Sequence, residues 1–383
     1  MDRLEIASSM WFQKIDGIGS RTLFLLKEHF GSLKTAYHGT EKELLRLLNS
    51  KQYTAFKAAK HCLEPLAYME QVEGKGIRYI AYEDEIFPEK LRNIPDPPYG
   101  LFVKGSLPDA GMPSIAMIGA RACSEYGRTV AEEFAAALAG IGVQVISGMA
   151  RGIDSISQKS CLKAGGRTFA VLGSGVDVCY PGELRDLYEE IEKNGGLLST
   201  YAPGMPPVSS NFPPRNRIIS GLSDVVLVVE ARRKSGTLIT VDMALEQGKE
   251  VAIIPGRITD SLSQGCHDLL SQGAGIVVNI EQLIGLLSDT FSLQFSCGKD
   301  ISNGYKKEAS WIDIINSNEL DPFLKSIYEI LLEHPTEPMD AESIYKKWLE
   351  RNGQGEFRVL MEGLVDLELM DLCKLYKNRF IIR

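Results

Sequence analysis

Hydrophobic and polar positions change their spacing several times along the 383-residue chain. From about 114 to 287, short apolar runs alternate with segments of helical spacing, a pattern typical of a parallel α/β sheet. Together with a strand-like lead-in over 77–104, this region predicts one α/β domain spanning 73–287. The apolar runs that predict its strands are Ile115–Ile118, Val143–Ser147, Thr168–Leu172, Leu197–Ser199, Val225–Val229, Val251–Ile254 and Ile276–Val278.

The segments on either side of this domain have a different character. Residues 1–72 predict short helices with leucine-rich faces. The Gly17–Gly19 turn between two of them is either a plain tight turn or a helix-hairpin-helix contact to a phosphate. Residues 288–320 are polar and irregular, which is typical of a linker. Residues 321–383 predict three helices and a hairpin, a winged-helix-like domain.

The charge of the chain limits the kinds of partner that it can bind. The formal net charge is −8, and it amounts to zero over 1–111, −3 over 112–287 and −5 over 288–383. A generally basic, nucleic-acid-coating surface is therefore excluded, and any anion site must be local. No apolar run approaches the roughly 20 residues that cross a bilayer, and no secretory segment is recognisable. We expect a cytoplasmic protein without a membrane partner.

Residues with catalytic or metal-binding chemistry are sparse in the predicted sheet domain. The seven cysteines are scattered without a Cys-x-x-Cys pair, so neither a disulfide framework nor a zinc site is expected. No spacing marks two of the carboxylates Asp154, Asp177, Asp224 and Glu230 as an acid/base pair. Phosphate-loop and nucleophile-elbow motifs are absent from the sequence. We therefore predict a binding site without a catalyst, a metal or a cofactor.

Several predicted strands end in glycine-rich loops that carry an arginine. These loops include Gly119-Ala120-Arg121, Gly148 to Gly152 with Arg151, and Pro255-Gly256-Arg257. Because ligands bind at the carboxyl ends of parallel strands, we expect Arg121, Arg151 and Arg257 to share one rim of the sheet.

A further glycine lies where the helix after Val225–Val229 is predicted to begin. In Ser235-Gly236-Thr237, the glycine lets a ligand approach the backbone, and Ser235 or Thr237 can cap the helix. The free amides at that helix start attract an anion. Simple capping of a helix that packs on the sheet is the alternative interpretation.

The segment from Phe212 to Leu222 combines an aromatic ring, two prolines and two arginines. Because proline fixes φ, Pro213-Pro214 is expected to hold Phe212 extended and to let a helix begin near Arg215. The ring would then offer a stacking face beside the cationic pair Arg215 and Arg217. In the alternative interpretation, Phe212 caps the core and both arginines pair with carboxylates.

Taken together, these motifs resemble the DprA/Smf family, the DNA-processing protein A of natural transformation. The order and spacing match over roughly residues 80–280. The resemblance implies an extended Rossmann-like fold, single-stranded DNA binding, homodimers and loading of the recombinase RecA onto incoming strands. The matching motifs are Ile118–Arg121 with Tyr126-Gly127, Ser147–Asp154, Val171–Gly175 with Tyr180-Pro181, Phe212–Leu222, Ser235–Thr240 and Pro255-Gly256.

The same resemblance implies which residues contact the DNA strand. This chain departs from the family at Gln158, where many members have histidine, and at Ser209 and Ser210, near which many have a lysine. The absent lysine bears on how tightly phosphate is held, and not on the mode of binding. The expected contact residues are Gly119, Arg121, Arg151, Phe212, Arg215, Asn216, Arg217, Ser235, Gly236 and Thr237.

Two other functions use the same crevice. The predicted crevice, with its Gly-Thr helix start, is also similar to that of LOG-type phosphoribohydrolases, which split a base from a nucleoside monophosphate, and Glu230 could take the role of their glutamate. A sensor that binds a free nucleotide and signals through the C-terminal domain is the third possibility. That domain's predicted recognition helix carries four acidic residues against Arg358, so a protein contact or a structural role is favoured over DNA binding.

Overall fold

The computed structural model describes residues 2–291, 322–332, 339–352, 355–369, 373–376 and 379–382. The chain divides into two compact units, Met1–Ser296 and Cys297–Arg383. In the part of the chain that the structure describes, no helix is long and apolar enough to span a bilayer.

A nine-stranded sheet forms the centre of the first unit, in the order β1-β2-β6-β5-β4-β3-β7-β8-β9. Each neighbouring pair in the part β6-β5-β4-β3-β7-β8-β9 of this order is parallel. The α/β fold predicted from the apolar runs is therefore confirmed. The strands are β1 Arg78–Ala81, β2 Gly100–Gly105, β3 Ser114–Ile118, β4 Gln144–Ser147, β5 Thr168–Val171, β6 Gly196–Ser199, β7 Val225–Val228, β8 Glu250–Ile253 and β9 Gly275–Ile276.

The sheet is not parallel throughout. The lead-in over 77–104 supplies β1 and β2, which extend the sheet: β2 pairs antiparallel with β6, with Phe102 opposite Ser199, and β1 pairs antiparallel with β2. These two strands cover the edge of β6, whose backbone donors and acceptors would otherwise stay unpaired.

Helices flank the sheet on both faces and connect its strands. The helices of this unit are α1 Arg3–Gln13, α2 Ser20–Phe30, α3 Leu33–Tyr37, α4 Glu41–Leu44, α5 Ser50–Cys62, α6 Pro65–Glu73, α7 Glu89–Arg92, α8 Glu125–Gly140, α9 Ile153–Lys163, α10 Arg185–Asn194, α11 Phe212–Leu222, α12 Gly236–Glu246, α13 Gln264–Ser271 and α14 Ile280–Phe291.

The central strands are apolar at every position because both faces of the sheet are covered. In β3, Ile115 and Met117 pack in a cluster with residues of α8 and α14. The alternate residues Ala116 and Ile118 pack in a second cluster with residues of α11, α12 and α13. This arrangement places the starts of α11 and α12 close to the carboxyl end of β3.

The predicted helical segment 1–72 is present and shares its core with the sheet edge. Trp11 and Phe12 belong to a hydrophobic cluster that continues into Phe102 of β2. The Gln13 amide donates to the carbonyl oxygens of Gly100, at 3.1 Å, and Thr200, at 2.7 Å. These helices therefore form one compact unit with the sheet domain.

The second unit has the three helices and the hairpin that were predicted for 321–383. Its strands pair antiparallel in the order β10-β12-β11. The predicted linker 288–320 begins inside α14, which reaches Phe291, and its remainder lies outside the described residues. So does the Lys377-Asn378 turn of the hairpin. The elements are α15 Pro322–Leu332, β10 Met339–Asp340, α16 Ala341–Asn352, α17 Phe357–Leu369, β11 Cys373–Tyr376 and β12 Arg379–Ile382.

Candidate functional site

A cavity of about 700 Å³ opens at the carboxyl ends of the parallel strands. Its size lies within the ~300–1,000 Å³ of ligand sites in proteins. Loops that follow β3, β4 and β5 line it, together with the starts of α11 and α12. Among its described lining residues, four cations face a single carboxylate, so the cavity carries a net charge of +3. These residues are Arg121, Arg215, Arg232, Lys234 and Asp154.

The start of α12 is tied to the loop that follows β3. The Ser235 hydroxyl caps the helix by accepting from the Thr237 amide at 3.0 Å. The Thr237 hydroxyl in turn donates to the Gly119 carbonyl oxygen at 3.1 Å. Gly236 faces open space, since a methyl group added there would meet no protein atom within 4 Å. A ligand oxygen can therefore reach the positive end of the helix.

Helix α11 begins earlier than the two prolines suggested. The expectation that Phe212 is extended and that the helix starts near Arg215 is wrong, because Phe212 is already helical, with φ −70° and ψ −44°. Pro213 and Pro214 lie in the first turn, where the amide that proline lacks has no helical partner to lose.

The Phe212 ring lies half-buried between the loop after β5 and two guanidinium groups. A methyl group added to Gly173 would lie 2.8 Å from the ring, so the ring packs directly on that glycine. The ring centroid is 5.8 Å from Cζ of Arg121, 5.7 Å from Cζ of Arg215 and 5.9 Å from the Tyr180 ring. The ring thus lies beside Arg215, as predicted, and beside Arg121 in place of the predicted Arg217.

Arg215 is buried, with 5% of its surface exposed, beneath the cavity. Its Nη1 donates to the carbonyl oxygens of Gly148, at 2.9 Å, and Val171. Burial lowers the pKa of Arg215 to about 10, and the charge of Asp154 opposes that change. Burial also raises the pKa of Asp154, against the opposing charge of Arg215. Arg215 therefore holds the ends of β4 and β5 together through backbone carbonyl oxygens, whereas the alternative interpretation expected it to pair with a carboxylate.

Asn216 and Arg217 point in different directions. Asn216 lines the cavity, and its Oδ1 accepts from Nε of Arg215 at 3.2 Å. Arg217 lies outside the cavity, where it donates to the Asp96 carbonyl oxygen and approaches the Asp96 carboxylate at 3.6 Å. Of the cationic pair predicted beside the Phe212 ring, only Arg215 lines this cavity in the described structure.

The three arginines expected to share one rim of the sheet line different parts of the surface. Arg121 is exposed and lines the cavity. Arg151 is exposed beside it in a neighbouring cleft and forms an ion pair with Glu183. Arg257 is exposed on the loop after β8, and it does not belong to the described lining of either depression.

Two cations and one aromatic ring of the lining were not among the predicted contacts: Arg232, Lys234 and Tyr180. Arg232 and Lys234 belong to the basic run just before Ser235, which was a usable signal for an anion site. Tyr180 is 45% exposed at the cavity edge, and its sequence neighbourhood alone did not indicate an aromatic platform.

Gln158, where many family members have histidine, is fully buried and donates to the Phe169 carbonyl oxygen at 3.1 Å, so it is a core residue.

Glu230, the glutamate considered for a phosphoribohydrolase, has a structural contact. Its carboxylate is buried and accepts from the backbone amide of Ser124 at 2.9 Å and from the Ser124 hydroxyl. Since Ser124 caps α8, Glu230 fixes the start of that helix. Among the described residues, no group of three potential metal-ligating side chains occurs.

Comparison with known proteins identifies relatives over most of the chain. A family model described as DNA recombination-mediator protein A matches residues 78–288. The chain is 31% identical over 359 residues to Protein Smf of Synechocystis, covering 88% of this chain and 90% of that protein. It is 42% identical over 201 residues to the DNA processing protein DprA of Streptococcus pneumoniae, covering 52% of this chain and 71% of that protein.

Two solved structures share the fold. The X-ray structure of DprA from Streptococcus pneumoniae matches with a TM-score of 0.64 and 32% identity, covering 73% of this chain and 97% of that chain. A structure of DNA processing protein A from Helicobacter pylori, described for its single-stranded DNA binding mode, matches with a TM-score of 0.50 and 30% identity. That match covers 56% of this chain and 97% of the other.

Proposed function

Because this chain belongs to the DNA recombination-mediator protein A family, we propose that it binds single-stranded DNA and mediates recombination during natural transformation, without catalysing a reaction. The observation that carries the proposal is the +3 cavity in a chain of net charge −8. Local positive charge beside aromatic rings suits a flexible polyanion with exposed bases. The Helicobacter pylori relative, described for its single-stranded DNA binding mode, supports the same conclusion.

The proposed mechanism combines three physical contributions. Arg121, Arg232 and Lys234 neutralise phosphates, and the free backbone at Gly236 lets a phosphate approach the start of α12. Tyr180 and Phe212 offer aromatic surface to the bases. In duplex DNA the bases are stacked and paired, so they cannot reach rings inside a cavity. A preference for single strands follows from this geometry.

The family resemblance extends the proposal to the partners. We propose that a homodimer in the cytoplasm delivers the bound strand to RecA. Dimerisation would place two cavities on one strand and raise the avidity of an otherwise acidic protein. Glu230 supports a binding role over a hydrolytic one, because its carboxylate is engaged at the start of α8.

A binding titration tests the central proposal. Single- and double-stranded oligonucleotides of one sequence are titrated at two salt concentrations with the wild type and with Arg121→Ala. We expect the wild type to prefer the single strand, and the variant to bind it more weakly with a salt slope reduced by about 0.7. Equal affinity for both forms, or binding insensitive to salt and to the substitution, would overturn the proposal.

A further inference from the structure

A second depression adjoins the cavity. This arginine cleft, of about 290 Å³, is lined by Arg121, Arg128 and Arg151 together with residues of α8 and α9. Arg121 and Ala122 line both the cleft and the cavity, so the two depressions adjoin at these residues. A chain that leaves the cavity past Arg121 therefore enters the cleft directly.

The cleft is positive and its cations are accessible. Its described lining residues include three arginines and no carboxylate. The carboxylates that contact two of these arginines lie at the surface: Glu125 approaches Arg128 at 3.6 Å and is 90% exposed, and Glu183 pairs with Arg151 and is 52% exposed. Exposed ion pairs of this kind are weak, so a phosphate can replace the carboxylate partner.

Beyond the cleft, the charge changes sign. An acidic groove of about 550 Å³ follows between α8, α9 and α10 and shares Arg128, Ser155, Ile156 and Leu184 with the cleft. It carries four carboxylates against three cations. Its net charge is −1, so it attracts a polyanion less than the cleft does. The charged residues of this groove are Arg128, Lys159, Lys163, Glu132, Glu183, Asp186 and Glu190.

We propose that the arginine cleft is a second phosphate-binding subsite, which holds the DNA backbone where the strand leaves the cavity. The inference rests on the proposed single-strand binding and adds Arg128, to which the sequence assigned no role. Arg121 lies at the boundary and contacts phosphates on both sides, whereas Arg128 and Arg151 contact only the portion of the strand outside the cavity.

Titration with oligonucleotides of two lengths distinguishes binding in the cavity from binding in the arginine cleft. The full chain is titrated with oligothymidylates of about 4 and about 16 nucleotides, the limits of common single-strand sites, at 50 and 200 mM salt. Arg128→Gln removes a cleft cation, and Lys163→Gln removes a cation from the acidic groove as a charge-matched control. Thermal melting of both variants verifies that the fold is kept.

We expect Arg128→Gln to reduce the salt-dependent loss of affinity for the long oligonucleotide by about 2.6-fold, the effect of one phosphate contact over this range of salt. Its affinity for the short oligonucleotide and the behaviour of Lys163→Gln should match the wild type. Unchanged long-strand binding by Arg128→Gln, or an equal effect of Lys163→Gln, would overturn the subsite. Failure of the wild type to bind either length would instead overturn the proposed function.

Discussion

The Thr237 hydroxyl donates a hydrogen bond of 3.1 Å to the Gly119 carbonyl oxygen across 118 residues of sequence. It joins the start of α12 to the loop that carries Arg121. Thr237→Val removes the donor, so we expect a loss of about 0.5–1.5 kcal/mol in the free energy of unfolding, together with weaker DNA binding. Thr237→Ser keeps the hydroxyl and should retain both properties. Urea unfolding and fluorescence anisotropy measure them, and equal behaviour of the two variants would contradict this role.

Gly236 provides a test that leaves protein contacts untouched. A methyl group there would meet no protein atom within 4 Å, and alanine favours the helix more than glycine does. We expect Gly236→Ala to keep the wild-type melting temperature and to weaken single-strand binding, because the methyl group occupies the approach to the helix start. Gly140→Ala, also in open space, serves as the control. Undiminished binding by Gly236→Ala would show that no ligand approaches this backbone.

The position of the Phe212 ring depends on the absence of a side chain at Gly173. An added methyl group would lie 2.8 Å from the ring, so Gly173→Ala must displace the ring. We expect single-strand affinity to fall, by at most the effect of one stacked base, ~1–3 kcal/mol. Phe212→Ala should cause a similar loss, and combining the two should add little. Additive losses would show that Gly173 acts separately from the ring.

Arg215 should be required for stability more than for direct contact with DNA. Arg215→Met removes its bonds to Gly148 and Val171 and leaves Asp154 as a buried charge without its cation. The expected loss in unfolding free energy is about 3–5 kcal/mol at neutral pH. Arg121→Gln, at an exposed position, should change stability little.

The loss caused by Arg215→Met should depend on pH. Burial already holds the pKa of Asp154 above 3.8, and removing Arg215 raises it further. A carboxyl group whose folded pKa exceeds its unfolded value destabilises the fold above the folded pKa, and this effect disappears as pH falls towards 3.8. The difference in urea midpoint between the wild type and Arg215→Met should therefore become smaller from pH 7 to about pH 4.5. A difference that does not change with pH would show that the buried charge of Asp154 is not the source of the lost stability.

Glu183 restrains one arginine of the cleft. Its hydrogen bond with Arg151 lowers the pKa of Glu183 below 4.5, so the ion pair is intact at neutral pH and is lost only under acidic conditions. Glu183→Gln should release Arg151 at pH 7 and raise the salt slope for a long oligonucleotide by up to about 0.7. Asp186→Asn, in the same groove, is the charge-matched control. An equal increase in both variants would indicate general charge rather than release of Arg151.

The sequence could predict the central strands because burial on both faces leaves a continuous apolar run. Ile115–Ile118 was predicted, and β3 spans Ser114–Ile118. The pairing of β2 with β6 could not be predicted, since the run Leu101–Val103 carries no mark of its partner.

The opposite orientations of Arg215 and Arg217 follow from their both lying on one helix. Residues two positions apart on an α-helix are rotated by about 200°, so Arg215 and Arg217 cannot face the same side of α11. An extended segment would have placed both on one side. Both arginines lie within α11, so only one of them reaches the cavity.

The charge of the cavity also has a kinetic consequence. Without its +3, the rest of the chain carries a formal net charge of −11. At physiological ionic strength a charge is felt over only ~8 Å, so a strand near the cavity responds to the local positive charge of the cavity and the adjoining arginine cleft, and not to the net charge of the whole chain. We expect association to become slower and the equilibrium affinity to fall as salt is added, because both depend on this local attraction. A protein with a negative net charge can therefore still capture a polyanion at one place on its surface.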